Sequence, residues 1–330
     1  METKMIKTTN RKLRKASYLI LTLLAEIAGS NLSLPCNAME KPTTVGIIEK
    51  YFDPYSGNIR HHLTQSSLDT YDKENPLYVI ADAQDEDLGD HHANHVTSII
   101  HGASPKSSIR LIDLAYEQGV NDKISDEAKT IAAIYKAIDS KVDFINISRR
   151  LCPSNDRNGE ISEEMKRALL AAKDAGIGVI KSAGNDGEYT GHTAYTSSLY
   201  SLLTEMNGSM IMAVALDKDG TDLAWDFSNK AGRAHQYIVA APGEDILAQG
   251  ANNKTILMSG TSMAAPHVTG LAAHLKQEYQ LPPNQVLDCI LQTARIDNLF
   301  QTRIFGRGKV DKDGALRLAS SLISSQRESY

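Results

Sequence analysis

Cysteine is scarce in this chain. Only three of its 330 residues are cysteines, at Cys36, Cys152 and Cys289. They form neither a CxxC pair nor a set with metal-ligand spacing, which excludes a zinc ribbon, a redox-active CxxC motif and a disulfide-dense scaffold. We therefore expect buried structural thiols.

Long hydrophobic runs are also missing. The one run apolar enough to meet a membrane covers residues 16–29, and its 14 residues include Glu26. A helix needs about 20 predominantly apolar residues to cross a bilayer. The sequence therefore predicts no integral membrane span and excludes a polytopic membrane protein.

Most of the chain lacks an excess of positive charge. The first 38 residues hold six of the 35 Lys and Arg, whereas the remainder carries 29 basic and 38 acidic residues, a net charge of −9. This balance repels phosphate backbones, so no nucleic-acid binding is expected. With 42% apolar and 23% charged residues, the chain has enough apolar side chains to bury a full core.

Residues 1–38 have the order of a secretory signal: a basic stretch, an apolar run and a small-residue site ending at Ala38. We expect cleavage after Ala38, a secreted or periplasmic protein, and residues 39–43 as a short linker. Glu26 inside the apolar run opposes translocation, so a cytosolic protein with an N-terminal extension is the alternative. A lipid anchor on Cys36 is disfavoured by the residues that precede it.

From Thr43 onward, short β-branched runs alternate with amphipathic stretches of helical length. The alternation predicts an α/β domain over residues 44–322, with three layers and a mostly parallel central sheet flanked by helices. Residues 323–330 are expected to be a polar tail. The strand candidates are 44–48, 77–81, 109–114, 144–148, 176–181, 210–215 and 237–240. The helix candidates are 92–101, 126–139, 161–175, 262–279 and 284–294.

The sharpest local signal is the stretch 259–270 (SGTSMAAPHVTG), which follows a strand-like segment and opens an amphipathic helix. Gly260 lets the backbone turn tightly, and Ser262 then lies at a helix N-terminus, where free N–H groups favour a developing oxyanion. An ordinary N-cap serine is the alternative. Eight positions of the stretch resemble the nucleophile motif of the subtilisin-like serine proteases, the subtilases, which favours a catalytic role.

A histidine block upstream, residues 92–102 (HANHVTSIIHG), resembles the HGTHVAGIIAG-like block of that family. The resemblance implies that His92 is the general base and then the general acid, since an imidazole titrates near neutral pH. His95 is then a packing residue of the same helix, and His91 is an out-of-register competitor. The residues after His92, an alanine and an asparagine, depart from the family's Gly and Thr.

Residues 182–187 (SAGNDG) resemble the oxyanion-hole block of the subtilases. The resemblance implies that the side-chain N–H of Asn185 stabilises the tetrahedral intermediate, and that Ala183 and Gly184 lie at the substrate. A plain turn after a strand is the alternative. The position of the block, between the histidine and serine blocks, favours the catalytic interpretation.

The match to the subtilase pattern fails at the acidic residue of the catalytic triad, the residue that orients the histidine. The first strand of the family ends in an aspartate, whereas Glu49 occupies that position here. A glutamate can orient the imidazole, but its extra methylene requires the strand or the helix to sit back by about 1 Å. Asp82 is the reserve candidate, although it precedes His92 by only 10 residues, where the family places another strand. We therefore predict Glu49 as the triad acid.

Residues 142–148 (VDFINIS) resemble the strand that lines the subtilase substrate cleft, so Ser148 and Arg149 are expected to contact substrate. The family has Leu-Gly after this serine, whereas Arg149 and Arg150 follow here. The bulk of these two side chains at the rim would narrow the substrate groove, or their positive charges would direct it toward acidic residues of the substrate. The alternative is that both arginines point to solvent.

These residues predict a monomeric serine endopeptidase that cleaves polypeptides through Ser262, His92 and Glu49, with no cofactor or catalytic metal. One rival is a degenerate subtilase fold that acts as a binding or regulatory module. The other is a metallohydrolase built on the acidic and histidine residues of 82–95, which is weak because an HxxH motif lacks the glutamate of HExxH. The acidic stretch 82–90 could also hold structural calcium, although a solvated turn is favoured.

Overall fold

The aliphatic runs form a central sheet of parallel strands. The structure is a computed structural model, and it describes residues 41–53, 56, 63–64, 88–114, 125–152, 159–296 and 301–328. The strands are β1 (Thr44–Glu49), β2 (Ser108–Asp113), β3 (Phe144–Ile147), β4 (Gly178–Ser182), β5 (Met210–Leu216), β6 (Ile238–Pro242), β7 (Ile246–Gln249) and β8 (Thr255–Met258). The six-stranded sheet has the order β2-β1-β3-β4-β5-β6, and β7 and β8 form a separate antiparallel pair.

Helices cover the sheet on both faces. They are α1 (Leu88–Ala103), α2 (Asp126–Asp139), α3 (Glu163–Asp174), α4 (Ala194–Met206), α5 (Thr261–Tyr279), α6 (Pro283–Thr293), α7 (Thr302–Phe305) and α8 (Lys312–Glu328). Consecutive parallel strands need a long connection. Helices α1 to α4 supply it from β1 to β5, and the connection from β5 to β6 contains a 3-10 helix, Gly232–Tyr237. Residues Pro42–Tyr330 form one compact unit.

Alternate residues of each strand face opposite helical layers, as the two-residue period of a strand requires. Ile145 and Val179 join the core beneath α2, α3 and α4, whereas Phe144 and Ile180 join the core beneath α5, α6 and α8. All four side chains are fully buried. Helix α1 packs with β1, β2 and α5 in a third apolar cluster. This arrangement confirms the predicted three-layer fold with a mostly parallel sheet.

Six of the seven predicted strands are present, with boundaries shifted by at most two residues. The strand predicted at 77–81 lies outside the described residues, as do the signal segment 1–38 and Cys36. Three helices were not predicted, α4, α7 and α8. The domain boundary predicted at 322 falls inside α8, which continues to Glu328.

Two further sequence expectations concern membranes and thiols. Within the part of the chain that the structure describes, no helix has the length and hydropathy needed to cross a bilayer. Cys152 and Cys289 are both buried free thiols, on opposite sides of the sheet.

Candidate active site

Strand β1 and helix α1 bring an acid and an imidazole together. Glu49 is the last residue of β1, a central strand with β2 and β3 on either side, and only 5% of Glu49 is exposed. Its Oε2 lies 3.4 Å from Nδ1 of His92. His91 is also buried, but its Nδ1 lies against Gly250. The structure thus places His92 beside the acid, whereas Asp82 lies outside the described residues.

The environment of His92 favours its charged form. Burial by itself lowers the pKa of an imidazole, but the charge and hydrogen bond of Glu49 outweigh burial and the repulsion of Arg149, so the pKa of His92 is raised above its usual value near 6.5. The carboxylate therefore stabilises the imidazolium that proton transfer would create.

Ser262 is the second residue of α5, where backbone N–H groups have no acceptor within the helix. Pro266 has no N–H to donate to the Ser262 carbonyl four residues earlier. The hydroxyl of Ser148 fills this gap by donating to that carbonyl at 3.1 Å, and Ser262 Oγ donates to the Ser148 carbonyl at 3.1 Å. This reciprocal pair fixes the predicted nucleophile against the end of β3.

A buried polar chain supports this pair. Asn146 donates from Nδ2 to the hydroxyl of Ser148 at 3.0 Å, and its Oδ1 accepts a 2.8 Å hydrogen bond from Thr269 on α5. Asn146 and Thr269 are fully buried. Neither position was predicted from the sequence, where the one available signal is a polar asparagine inside the apolar strand β3.

The side chain of Asn185 is oriented by Thr261. Asn185 Oδ1 accepts from the Thr261 backbone N–H at 2.9 Å and from its hydroxyl at 2.8 Å. The amide nitrogen therefore faces the other way, and a Cβ added at Gly260 would lie only 3.2 Å from it. The N–H groups of Asn185 are thus held at the turn that leads into Ser262, and this role of Thr261 was not predicted.

The loop that carries Asn185 is held by the buried Asn229. Its Oδ1 accepts from the N–H groups of Asp186 and Glu188, and its Nδ2 donates to the carbonyl of Ala183 at 3.0 Å. Gly184 has φ +109°, and a Cβ there would lie 2.5 Å from Asn229 Nδ2. Only glycine fits this position, because both its backbone conformation and the close approach exclude a side chain.

A pocket of about 190 Å³ opens beside these residues. Its walls include five predicted site residues, Ser148, Arg149, Gly184, Asn185 and Ser262. Ala183 was predicted to contact substrate, but it is fully buried and is not part of this wall. Its carbonyl instead anchors the Asn229 amide.

Comparison with known proteins matches the subtilase family model to residues 40–312. The chain belongs to the subtilase family. The Major intracellular serine protease of Bacillus subtilis (strain 168) is 31% identical over 188 residues, which cover 56% of this chain and 51% of that protein. The Extracellular serine protease of Serratia marcescens is 30% identical over 187 residues, 48% of this chain and 17% of that protein. The matched region thus spans about half or less of these relatives.

A solved structure supports the same fold. The self-cleaved protease domain of PatA superposes with a TM-score of 0.63 at 23% identity, covering 84% of this chain and 97% of that domain. At this identity the likeness concerns the fold alone. The predicted subtilisin-like architecture is therefore confirmed.

This subtilase departs from the family pattern beside the histidine. Asn94 replaces the usual threonine and is buried; its Oδ1 accepts from the Asp53 N–H at 2.8 Å and its Nδ2 donates to the Asp53 carbonyl at 2.7 Å. This two-point clamp ties α1 to the segment that follows Glu49.

His95, one turn from His91 on the same helix, lies in the core with Nε2 2.9 Å from the carbonyl of Ile246.

The two arginines after Ser148 do not extend freely into solvent. Both line the pocket of this subtilase. Arg149 lies 3.5 Å from a carboxylate oxygen of Asp126. Arg150 donates to both carboxylate oxygens of Asp186, at 2.7 and 2.6 Å. The alternative in which the arginines narrow or re-target the groove is therefore the one that the geometry favours.

Proposed function

We propose that this subtilase is a serine endopeptidase that hydrolyses peptide bonds of polypeptide substrates through Ser262, His92 and Glu49. Family membership supports the reaction class. The observation that carries the assignment is the contact between Glu49 Oε2 and His92 Nδ1. A proton fixed on Nδ1 leaves the other ring nitrogen as the base.

In the proposed reaction, the Ser262 hydroxyl attacks the peptide carbonyl while His92 takes its proton. In the resting structure that hydroxyl donates to the Ser148 carbonyl, so the proposed reaction requires it to exchange this acceptor for His92. The imidazolium then gives the proton to the leaving amine. Water completes the cycle by hydrolysing the acyl-enzyme, with His92 again as the base.

The negative charge of the tetrahedral intermediate would be stabilised by Asn185 Nδ2 and by the Ser262 backbone N–H. Thr261 holds the oxygen end of the Asn185 amide, so its N–H groups are aimed before the reaction begins. Donors that are already oriented stabilise the transition state without the cost of reorganisation. This supports a catalytic role for Asn185 over a plain turn.

Glu49 takes the place of the usual aspartate in this proposal. Its Oε1 is buried and has no hydrogen-bond partner among the described residues. The interaction with His92 is thus carried by Oε2 alone. The proposed reaction needs neither an organic cofactor nor a catalytic metal, since every proton transfer has a side chain to perform it.

We also propose that the enzyme is exported and acts as a monomer. The order of basic, apolar and small residues in 1–38 supports export. Proteins related to this chain bear both extracellular and intracellular names.

A fluorophosphonate probe tests the proposed nucleophile, because it reacts covalently only with an activated serine. We expect labelling of the purified wild-type protein and loss of labelling in Ser262→Ala. The matched control is Ser259→Ala, which removes an exposed hydroxyl of the same motif that pairs with Asp245, and it should be labelled like the wild type.

The same assay separates the rival functions. Wild-type protein that is not labelled and is not inhibited by a chelator would contradict the protease assignment and support a binding module. Absence of labelling together with a chelator-sensitive hydrolase activity would support the metallohydrolase instead.

A further inference from the structure

The pocket beside Ser262 contains more basic than acidic side chains. Arg149, Arg150 and Lys181 line it, against one carboxylate, that of Asp186. The two arginines already have carboxylate partners, as described above. Arg150 is also held with its guanidinium 4.7 Å from the centroid of the Tyr195 ring. Asp126, the partner of Arg149, is shared with Lys50. Lys181 is the pocket cation that has no carboxylate partner in the described part of the chain.

Lys181 is buried deep in the pocket on strand β4, with only 1% of the residue exposed. Its Nζ donates one hydrogen bond, to the Ser182 carbonyl at 2.6 Å, although an ammonium group has three N–H donors. Within the described part of the chain, no carboxylate forms an ion pair with it. A buried ammonium without a counter-ion is costly, so this pocket is built to receive an anionic group.

The protonation behaviour of Lys181 agrees with this geometry. Burial, with repulsion from Arg150, lowers the pKa of Lys181 to about 7, although Cys152 and Asp186 act in the opposite direction. A carboxylate brought next to Nζ would restore the charged form.

The position of the pocket defines which substrate residue enters it. Ser262 and Asn185 form part of its wall, and these are the groups proposed to contact the attacked carbonyl. The side chain on the same residue as that carbonyl is the substrate group that reaches the pocket. Its volume of about 190 Å³ far exceeds the roughly 15 Å³ needed for a single water and accommodates one side chain.

We propose that this pocket selects a substrate residue with an acidic side chain, glutamate or aspartate, on the amino side of the cleaved bond, and that Lys181 is the specificity-determining residue. The inference rests on the proposed endopeptidase function. The entering carboxylate pairs with the ammonium of Lys181 and lies near the guanidinium of Arg150. Because Arg150 pairs with Asp186 and Arg149 with Asp126, replacing Lys181 by an apolar residue would remove the one pocket cation that has no carboxylate partner in the described part of the chain.

Two fluorogenic peptides that differ only in glutamate or glutamine at the cleaved position test this proposal. Charge-assisted hydrogen bonds in a desolvated site predict that the wild-type kcat/KM for the glutamate peptide exceeds that for the glutamine peptide by about tenfold or more. Lys181→Met keeps the length of the side chain and should bring the ratio to about one. Lys218→Met changes an exposed lysine and should leave the ratio unchanged.

The ratio of the wild-type kcat/KM values for the glutamate and glutamine peptides tests the proposed selectivity even if Lys181→Met does not fold. A ratio near one, or a preference for glutamine, would overturn the inference. A strong glutamate preference that persists unchanged in folded Lys181→Met would overturn the role of Lys181.

A binding measurement separates this inference from the proposed function. Fluorescence anisotropy of the dye-labelled peptides with Ser262→Ala requires no catalysis, and we expect tighter binding of the glutamate peptide. If the wild type is not labelled by the fluorophosphonate but Ser262→Ala prefers the glutamate peptide, the protease assignment fails and the proposed selectivity of the pocket for acidic side chains stands. Normal labelling with equal binding of both peptides would overturn the proposed selectivity alone.

Discussion

Glu49 shows how a longer acid is accommodated at a site where the family has aspartate. The clamp of Asn94 on the backbone of Asp53 fixes the distance between the end of β1 and helix α1, four residues beyond the acid. With that distance fixed, Glu49 Oε2 reaches His92 at 3.4 Å while Oε1 stays without a partner. The charge and hydrogen bond of Glu49 raise the pKa of His92, which is the electrostatic effect that the proposed triad requires of its acid.

The first prediction concerns the pH dependence of catalysis. The base form of His92 is the active one, so the rate should rise with pH through the raised pKa of His92, above its usual value near 6.5. Glu49→Gln removes the charge that raises this pKa, so the midpoint of the profile should move to lower pH. Turnover should fall by up to about 10⁴, the loss seen when a triad aspartate becomes asparagine. The measurement is the pH profile of kcat/KM, or of the fluorophosphonate labelling rate.

Asp82→Asn is the comparison for this prediction, and it should affect the rate far less. If Asp82→Asn slows labelling more than Glu49→Gln does, the acid has been assigned to the wrong carboxylate. An unchanged midpoint in Glu49→Gln would also contradict the proposed pairing.

Residues within a contiguous motif were predictable, whereas residues that position them were not. Ser262, His92 and Asn185 were predicted as site residues from the register of three local blocks. Thr261 acts through a partner 76 residues away and Asn229 through partners 41–46 residues away, and no local pattern reveals such pairs. Lys181 likewise looks like an ordinary strand residue until the fold buries it beside Ser262.

At the scale of elements, the contact between α1 and α5 sets the relative positions of the imidazole and the serine. Gly270 lies at a close approach of the two helices: a Cβ there would be 2.5 Å from the Cβ of Ala103 and 3.0 Å from the carbonyl oxygen of Ile100. Glycine at this point lets the helices pack backbone to backbone. His92 and Ser262 are carried at the other end of the same helix pair.

The second prediction is that Gly270→Ala forces α1 and α5 apart. Overpacking of this kind costs about 1–3 kcal/mol of the free energy of unfolding. A displacement of His92 from Ser262 by about 1 Å should also lower kcat/KM by up to about 100-fold. Urea unfolding in a Ser262→Ala background, which prevents self-digestion, gives the first quantity, and peptide kinetics give the second.

The matched control is Gly102→Ala on helix α1, where a new Cβ meets no atom within 4 Å. It should stabilise the protein by about 0.5–1 kcal/mol, because alanine loses less conformational entropy in a helix. Equal stability of the two variants would contradict the close approach at Gly270.

Helix α4 is an example of an element that the sequence pattern did not predict. Its sequence is rich in Ser and Thr, which compete for backbone hydrogen bonds and weaken a helical pattern, and it was not predicted. The structure shows a capping box in which Thr193 and Thr196 satisfy each other's backbone N–H groups at its start. Burial of Leu199, Leu202 and Leu203 against the sheet then outweighs the poor intrinsic propensity.

At the scale of the whole molecule, buried histidines couple stability to pH. His267 on α5 has its Nε2 buried without a hydrogen-bond partner among the described residues. Burial, with repulsion from His95, lowers the pKa of His267 to about 4. His274 and Lys312 line the same pocket, so the groups that face His267 there are cationic or neutral and offer no counter-charge to its imidazolium.

The third prediction follows from this shift. Between about pH 6.5 and pH 4 the unfolded chain binds a proton at His267 that the folded protein does not, so stability falls as the pH is lowered through this window. For a pKa of about 4 against 6.5, the loss between pH 8 and pH 5 is about 2 kcal/mol. The raised pKa of His92 acts in the opposite direction, so the effect must be measured as a difference between variants.

His267→Phe should reduce the loss in unfolding free energy, measured with urea at both pH values in Ser262→Ala protein. His235→Phe, the same change at an exposed position, should leave the pH-dependent loss of unfolding free energy intact. If His267→Phe and Ser262→Ala protein without it lose the same free energy, protonation of His267 does not destabilise the fold.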